Sequence, residues 1–259
     1  MLAPIVGLGN GTARAVAQVG AMARFFFGAL YSWRWLPRPG RRVTFRILVK
    51  QVWFTALQAI PVVIVLAAIL SFLVISRAVQ ELGRLGATEL IGRLMVIAIV
   101  GELGPLITAL IVTGRSGTAI SAELATNKVM GEIDALEGMG IEPAQYLVLP
   151  RLGGAIVSMC GLIVVFDLVS IFAGLVAASL NGMATTRYFD IVIASLALKD
   201  VWLTVAKGIV FGVIIGVVPS FHGLSAGSAA TQVPVAASRG VVVSILAIFF
   251  AAGLFVVIK

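Results

Sequence analysis

Five apolar runs, each about long enough to cross a bilayer, leave this chain few ways to fold. A spanning helix needs about 20 predominantly apolar residues. The runs are Trp53 to Ile75, Leu94 to Thr113, Leu152 to Leu180, Val201 to Val218 and Val241 to Ile258. Inside lipid every backbone N–H and C=O must be satisfied within the protein, so such runs become helices. Composition agrees: 60% of the residues are hydrophobic and 12% charged, against about 25% charged in a soluble domain. The sequence therefore predicts an all-α integral membrane protein with five transmembrane helices.

Charge sets the expected orientation. The net charge is +8. Arg14, Arg24, Arg34, Arg38, Arg41, Arg42, Arg46 and Lys50 all precede the first long apolar run, with no acid among them. In so apolar a chain this block fits anionic headgroups and the positive-inside rule, not nucleic acid. It predicts a cytoplasmic N-terminus and, with five spans, a C-terminus on the opposite face. The stretches 115–150 and 219–240 then fall in cytoplasmic loops, and 181–200 lies on the far side. Val16, Val19, Met22 and Phe26 recur at helical spacing between Gly11 and Pro37, with Arg14 and Arg24 among them and Tyr31, Trp33 and Trp35 following. That pattern predicts an N-terminal amphipathic helix lying in the membrane interface. Pro37, Pro39 and Gly40 break the chain after it. The first charge is Arg14, so no cleavable leader is expected. The division is a basic N-terminal interfacial segment, 1–50, and a five-span domain, 51–259.

Three ionisable residues fall inside spans: Glu102, Asp167 and Lys207. Each is costly in lipid and should face protein or a water-filled cavity. Pro105 removes a helical hydrogen bond and frees a carbonyl one turn earlier, at or near Gly101. Glu102 beside it reads either as a polar point in a substrate cavity or as a structural carboxylate paired with a base. Asp167 and Lys207, of opposite sign, are the natural candidates for an ion pair. Gly114, Gly117, Thr118 and Ser121 place small residues three or four apart, the spacing of close helix packing. Cys160 is the single cysteine, so no intrachain disulfide forms, and His222, the single histidine, cannot build a metal site by itself.

The acids are concentrated. Five of eleven lie between Glu123 and Glu142. Among them Glu132, Ile133, Asp134, Leu136, Glu137 and Met139 form a short amphipathic helix, stopped by Gly138, Gly140 and Pro143. It reads as a solvated loop helix or as a docking helix for a cytoplasmic partner. No lysine is followed by Ser or Thr, so the chain has no P-loop phosphate cradle and no ATPase site of that kind.

Glu102-Leu103-Gly104-Pro105, Gly114-Arg115-Ser116-Gly117, Ala122-Glu123-Leu124, Glu132-Ile133-Asp134-Ala135-Leu136-Glu137, Met139-Gly140, Tyr146-Leu147-Val148 and Pro150-Arg151 resemble the MlaE/YrbE permease family. The resemblance continues through Asp167, Val205-Ala206-Lys207-Gly208 and Val241-Val242-Val243-Ser244, and covers roughly Val43 onward. It implies a homodimeric ABC-transporter permease in a bacterial inner membrane that moves phospholipid or a related lipid. It implies a separate cytoplasmic ATPase, which carries ATP and Mg, docked on the Glu132 to Gly140 helix as a coupling helix. It also implies a ring of MCE-domain protein on the opposite face, and a lipid cavity near span one and Glu102, for which Ile64, Leu70 and Val74 are candidates. No cofactor is expected in this chain. Many members carry Arg where this chain has Gly101, so that arginine's contact does not carry over. The competing reading is a proton-coupled secondary transporter using Glu102, Asp167 and Lys207.

Overall fold

The computed structural model describes residues 17, 20–28, 31 and 38–258. Its helices are α1 (Arg38–Val52), α2 (Ile60–Arg84), α3 (Leu90–Leu94), α4 (Gly104–Val112), α5 (Thr118–Val129), α6 (Glu132–Gly138), α7 (Leu149–Leu180), α8 (Thr185–Ser195), α9 (Leu198–Leu224) and α10 (Gln232–Ile258). Wider i→i+5 turns, of π-helix type, bridge α1 to α2 at Trp53–Leu57, α3 to α4 at Met95–Leu103 and α4 to α5 at Thr113–Gly117. Another leads into α7 at Ala144–Val148.

Five helical stretches are long and apolar enough to span a membrane: Thr44–Arg84, Leu90–Val129, Gln145–Leu180, Leu198–Leu224 and Gln232–Val257. All five expected spans are present, and each is longer than its apolar run. Span one begins before Trp53 because Pro39 sits in the first turn of α1, where its missing N–H costs nothing. The proline thus starts a helix that then runs on into the apolar segment. Span two does not end at Thr113. Its small residues are absorbed into a π turn and the helix continues to Val129, so the loop expected over 115–150 shrinks to short links around α6. Span four runs through Pro219 to Leu224, with Pro219 lying 3.4 Å from where a Cβ on Gly117 would stand. The 219–240 loop is therefore only 225–231. Residues 20–28 are helical, and Phe25 stacks edge-on against Phe221 at 5.8 Å. The remainder of the expected interfacial helix lies outside the described residues.

The expected far-side segment 181–200 contains a helix, α8, that hydropathy alone does not reveal. Its anchor is Tyr188, 1% exposed, whose hydroxyl donates to the Ile171 carbonyl at 3.3 Å. Burial pushes that phenol up to about 12, so it remains a donor at any ordinary pH. Gly174 leaves the space the ring fills.

The core forms where α7 meets α2 and α9, and where α9 meets α5 and α10. Glycines set the separation. A Cβ at Gly212 would lie 2.6 Å from the Ile156 Cα, and one at Gly216 2.7 Å from the Leu152 Cα. Gly208, Gly212 and Gly216 recur every fourth residue, a small-residue stripe on one face of α9 that brings two backbones together without a hydrophobic drive from water. Of the small residues expected to pack in span two, Ser121 meets both Gly223 and Gly240, whereas Gly114 faces open space.

Because the obstacle at Gly212 and Gly216 is backbone, Gly212→Ala and Gly216→Ala should each destabilise by about 1–3 kcal/mol. Gly161→Ala, with nothing within 4 Å, should match or slightly exceed wild type. Thermal unfolding in mild detergent checks this; equal melting points for all three would refute the close-packing account.

Candidate functional site

Two constructions concentrate the chain's polar chemistry. The first lies inside the bundle. Pro105, in the first turn of α4, cannot donate to the carbonyl four residues earlier, which is Gly101. The Lys207 Nζ on α9 fills that vacancy, donating to the Gly101 oxygen at 2.7 Å and to Glu102 Oε2 at 2.6 Å. Lys207 is 1% exposed and the Glu102 side chain 29%. The ammonium also lies 5.8 Å from the Phe255 ring centroid, within cation–π range. Of the two readings open for Glu102, the geometry gives it a base as partner.

The expected Asp167–Lys207 pair is not what forms. Lys207 is committed to span two, and Asp167 Oδ1 is buried beside Gly104 without a hydrogen-bond partner among the described residues. The physical reason is that the proline-freed carbonyl and Glu102 together offer the ammonium two acceptors at one point. Of the remaining residues named for a lipid cavity, Ile64 is exposed, while Leu70 and Val74 are half-buried. Ile64, Val74 and Leu70 fall within an arc of about 120° around the helix, with Val74 between the other two. An apolar groove of about 450 Å³ does run between α2 and α7, lined by their neighbours Ala68, Ile69, Phe72, Leu73, Ala173 and Val176.

The second construction is α6 at one end of the bundle. Gly131, with φ +77°, separates it from α5, and Gly140, with φ +74°, ends it. The Ile141 N–H donates to the Leu136 carbonyl at 2.9 Å and the Gly140 N–H to Glu137 at 2.9 Å, the paired bonds of a Schellman stop. Glu132 and Asp134 occupy the first turn, where the helix dipole favours acids. Ile133 is buried against Ile120, Leu124 and Leu147, with Leu136 and Leu224 alongside. Glu132, Asp134, Glu137 and Met139 face outward. Met139 does not continue the Ile133–Leu136 stripe, because it caps the helix and points away at 67% exposure.

Polar ties fix the helices around α6. Arg151, 5% exposed, pairs with Glu123 at 2.9 Å and donates to the Leu147 carbonyl at 2.6 Å, joining α7 to α5. Lys128 donates to the Leu224 carbonyl at 2.7 Å, joining α5 to the end of α9. Deeper in the bundle Arg115 donates to Gln58 Oε1 and lies over the Phe54 ring, joining spans two and one. Arg115 and Arg151 are functional positions that sequence motifs alone do not assign. The available signal was a basic residue at the edge of an apolar run.

An exposed acidic helix clamped to the ends of the spans, together with a proline-linked ion pair inside them, invites comparison with known transporters. Residues 48–258 match the family described as Permease MlaE. The chain belongs to the MlaE permease family. A Rickettsia typhi protein described as a probable ABC transporter permease is 31% identical over 244 residues, covering 93% of this chain and 92% of its own. The Haemophilus influenzae intermembrane phospholipid transport system permease protein MlaE is 26% identical over 231 residues, 88% of this chain and 85% of that one. The chloroplastic protein TRIGALACTOSYLDIACYLGLYCEROL 1 of Arabidopsis thaliana is 29% identical over 237 residues, 85% and 67% respectively. The chain is thus a multi-pass membrane permease.

The exposures of the two partners order the effects of breaking the ion pair in this MlaE-family permease. Glu102→Leu strands a fully buried ammonium and should cost about 3–5 kcal/mol. Lys207→Met leaves a carboxylate with partial access to water and should cost less, although the Gly101 carbonyl loses its donor. Melting points in detergent should therefore fall in the order wild type, Lys207→Met, Glu102→Leu; the reverse order would show that the buried cation is not the costly partner.

Proposed function

We propose that this permease works as a homodimer in a bacterial inner membrane, moving phospholipid or a related lipid to or from an MCE-domain partner. Power comes from a separate P-loop ATPase that docks on α6. The observation that carries this reading is the construction of α6. Its outward face offers Glu132, Asp134, Glu137 and Met139, while Ile133 is locked into the ends of α5, α9 and the turn before α7. A helix built in this way passes a push on its outer face directly to three spans. ATP-driven closure of the ATPase needs such a rigid receiver, because a partner shifts a conformational equilibrium only through contacts that differ between the two states. A relative's role in intermembrane phospholipid transport supports the substrate class. The pairing of Glu102 with Lys207 argues against the proton-coupled alternative, since both groups are held in a structural contact.

Glu137→Lys reverses a charge on the outward face and touches no buried contact. It should reduce co-purification of the ATPase at least tenfold while leaving the melting point of the permease unchanged. Retention of the ATPase at wild-type stoichiometry would remove α6 from the docking surface.

The lone cysteine allows the orientation to be measured. In a Cys160→Ser background, Met139→Cys should react with a membrane-impermeant maleimide in inverted vesicles and not in intact spheroplasts. Labelling in intact spheroplasts would place α6, and hence the docking face, outside the cytoplasm.

A further inference from the structure

A polar groove opens at the end of the bundle opposite α6, along the seam between α3 and α8. The two helices touch where Gly92 meets Ile191, which leaves no room for a Cβ on the glycine. Beside that contact lies a space of about 550 Å³, within the roughly 300–1,000 Å³ range of small-molecule pockets. Glu89 and Arg93 line it at the beginning of span two, and Asp190 and Ser195 line it from α8.

The groove carries both signs of charge. Its one guanidinium and two carboxylates enter none of the ion pairs formed among the described residues. Glu89 and Arg93 stand one turn apart, a spacing that favours pairing, yet each is left to the open space between the helices. Two carboxylates beside one cation disfavour an anionic ligand, and the guanidinium among them disfavours a simple cation. A ligand bearing both a phosphate and an ammonium satisfies all three groups.

The depth is that of a lipid headgroup. The apolar run of span two begins at Leu94, immediately after Arg93. Trp202, 69% exposed one turn into α9, marks the interface at the same end of the bundle. Ile97, 48% exposed, lies about one turn beyond Arg93 on the bilayer side. An acyl chain thus has an apolar surface to follow from the groove toward Glu102. The ammonium is a primary one: no aromatic ring lines the groove among the described residues, whereas a quaternary ammonium is held by aromatic faces.

We propose that Glu89, Arg93 and Asp190 bind the phosphoethanolamine headgroup of a phospholipid in the leaflet opposite α6. The Arg93 guanidinium takes the phosphate, and the two carboxylates accept hydrogen bonds from the ammonium. The site gives the permease a preference among lipids at that face of the membrane. It rests on the reading of the chain as a lipid permease.

The test uses the full-length permease in neutral detergent, without the ATPase. Equal amounts of phosphatidylethanolamine, phosphatidylcholine and phosphatidylglycerol compete for it, and native mass spectrometry counts what is retained. Wild type should retain phosphatidylethanolamine over either competitor. Arg93→Gln and Asp190→Asn should each lower that retention roughly tenfold. Glu89→Gln combined with Asp190→Asn leaves Arg93 as the only charge in the groove and should turn the preference to phosphatidylglycerol, a reversal that loss of structure does not produce. Lys199→Gln, exposed and outside the groove, should behave as wild type. The three groove charges are exposed, so their variants keep the fold. Equal retention of the three lipids by wild type, or a preference for phosphatidylethanolamine that survives the double substitution, overturns the proposal; equal retention leaves the groove to a segment of a protein partner. Because the ATPase is absent, either result leaves the docking role of α6 standing, and loss of that role leaves this binding standing.

Discussion

A carbonyl released by proline in the middle of a membrane must be given a donor from elsewhere, and much of this structure follows from which donor it receives. Lys207 crosses from α9 to the Gly101 oxygen and takes Glu102 as its counter-charge in the same movement. Neither group would be tolerable there alone. The contact requires α9 to approach span two closely while it also packs on α7. Gly208, next to the lysine, and Gly212 and Gly216 beyond it remove the side chains that would hold α7 away. Ion pair and glycine stripe are therefore two faces of one helix doing complementary tasks: one fixes where α9 sits against span two, and the other lets it sit against α7.

The fold class was legible in the sequence because lipid imposes length and apolarity on every span, and both are local properties. The ends of the spans were not. Pro39 reads as a break and Pro219 as the start of a loop, yet each lies within or at the start of a continuous helix. In water their weak helix propensity would count heavily. In this bundle the propensity is outweighed by close packing against small partners, as where Pro219 meets Gly117 and Gly240. The pairing of Lys207 was equally hidden. Its partner lies 105 residues away, and opposite charges on separate helices carry no register that would choose Glu102 over Asp167. α8 is hidden in the sequence because its anchor, Tyr188, reads as an ordinary loop aromatic without the space left by Gly174.

At the α6 end the sequence announced the acidic helix and the glycines that bound it, since both are short-range signals. It did not announce what makes the helix useful. Arg151 with Glu123, and Lys128 with the Leu224 carbonyl, link elements distant in the chain. His222 likewise offered nothing by its isolation in the sequence beyond excluding a metal site.

The widened turns in span two give that helix a rotational phase that is not the one its length would suggest. Each π turn holds an additional residue relative to an α-helix and so shifts everything beyond it by about 100°. Met95–Leu103 and Thr113–Gly117 lie on either side of Pro105 and α4. The first carries Glu102 itself, and the second carries Arg115, which reaches Gln58. The aim of both side chains is thus set by a count of residues as much as by their identity. Span two behaves like a combination lock: loss or gain of one residue in either widened turn would leave its composition and hydropathy nearly intact while turning an arginine or a carboxylate to face lipid.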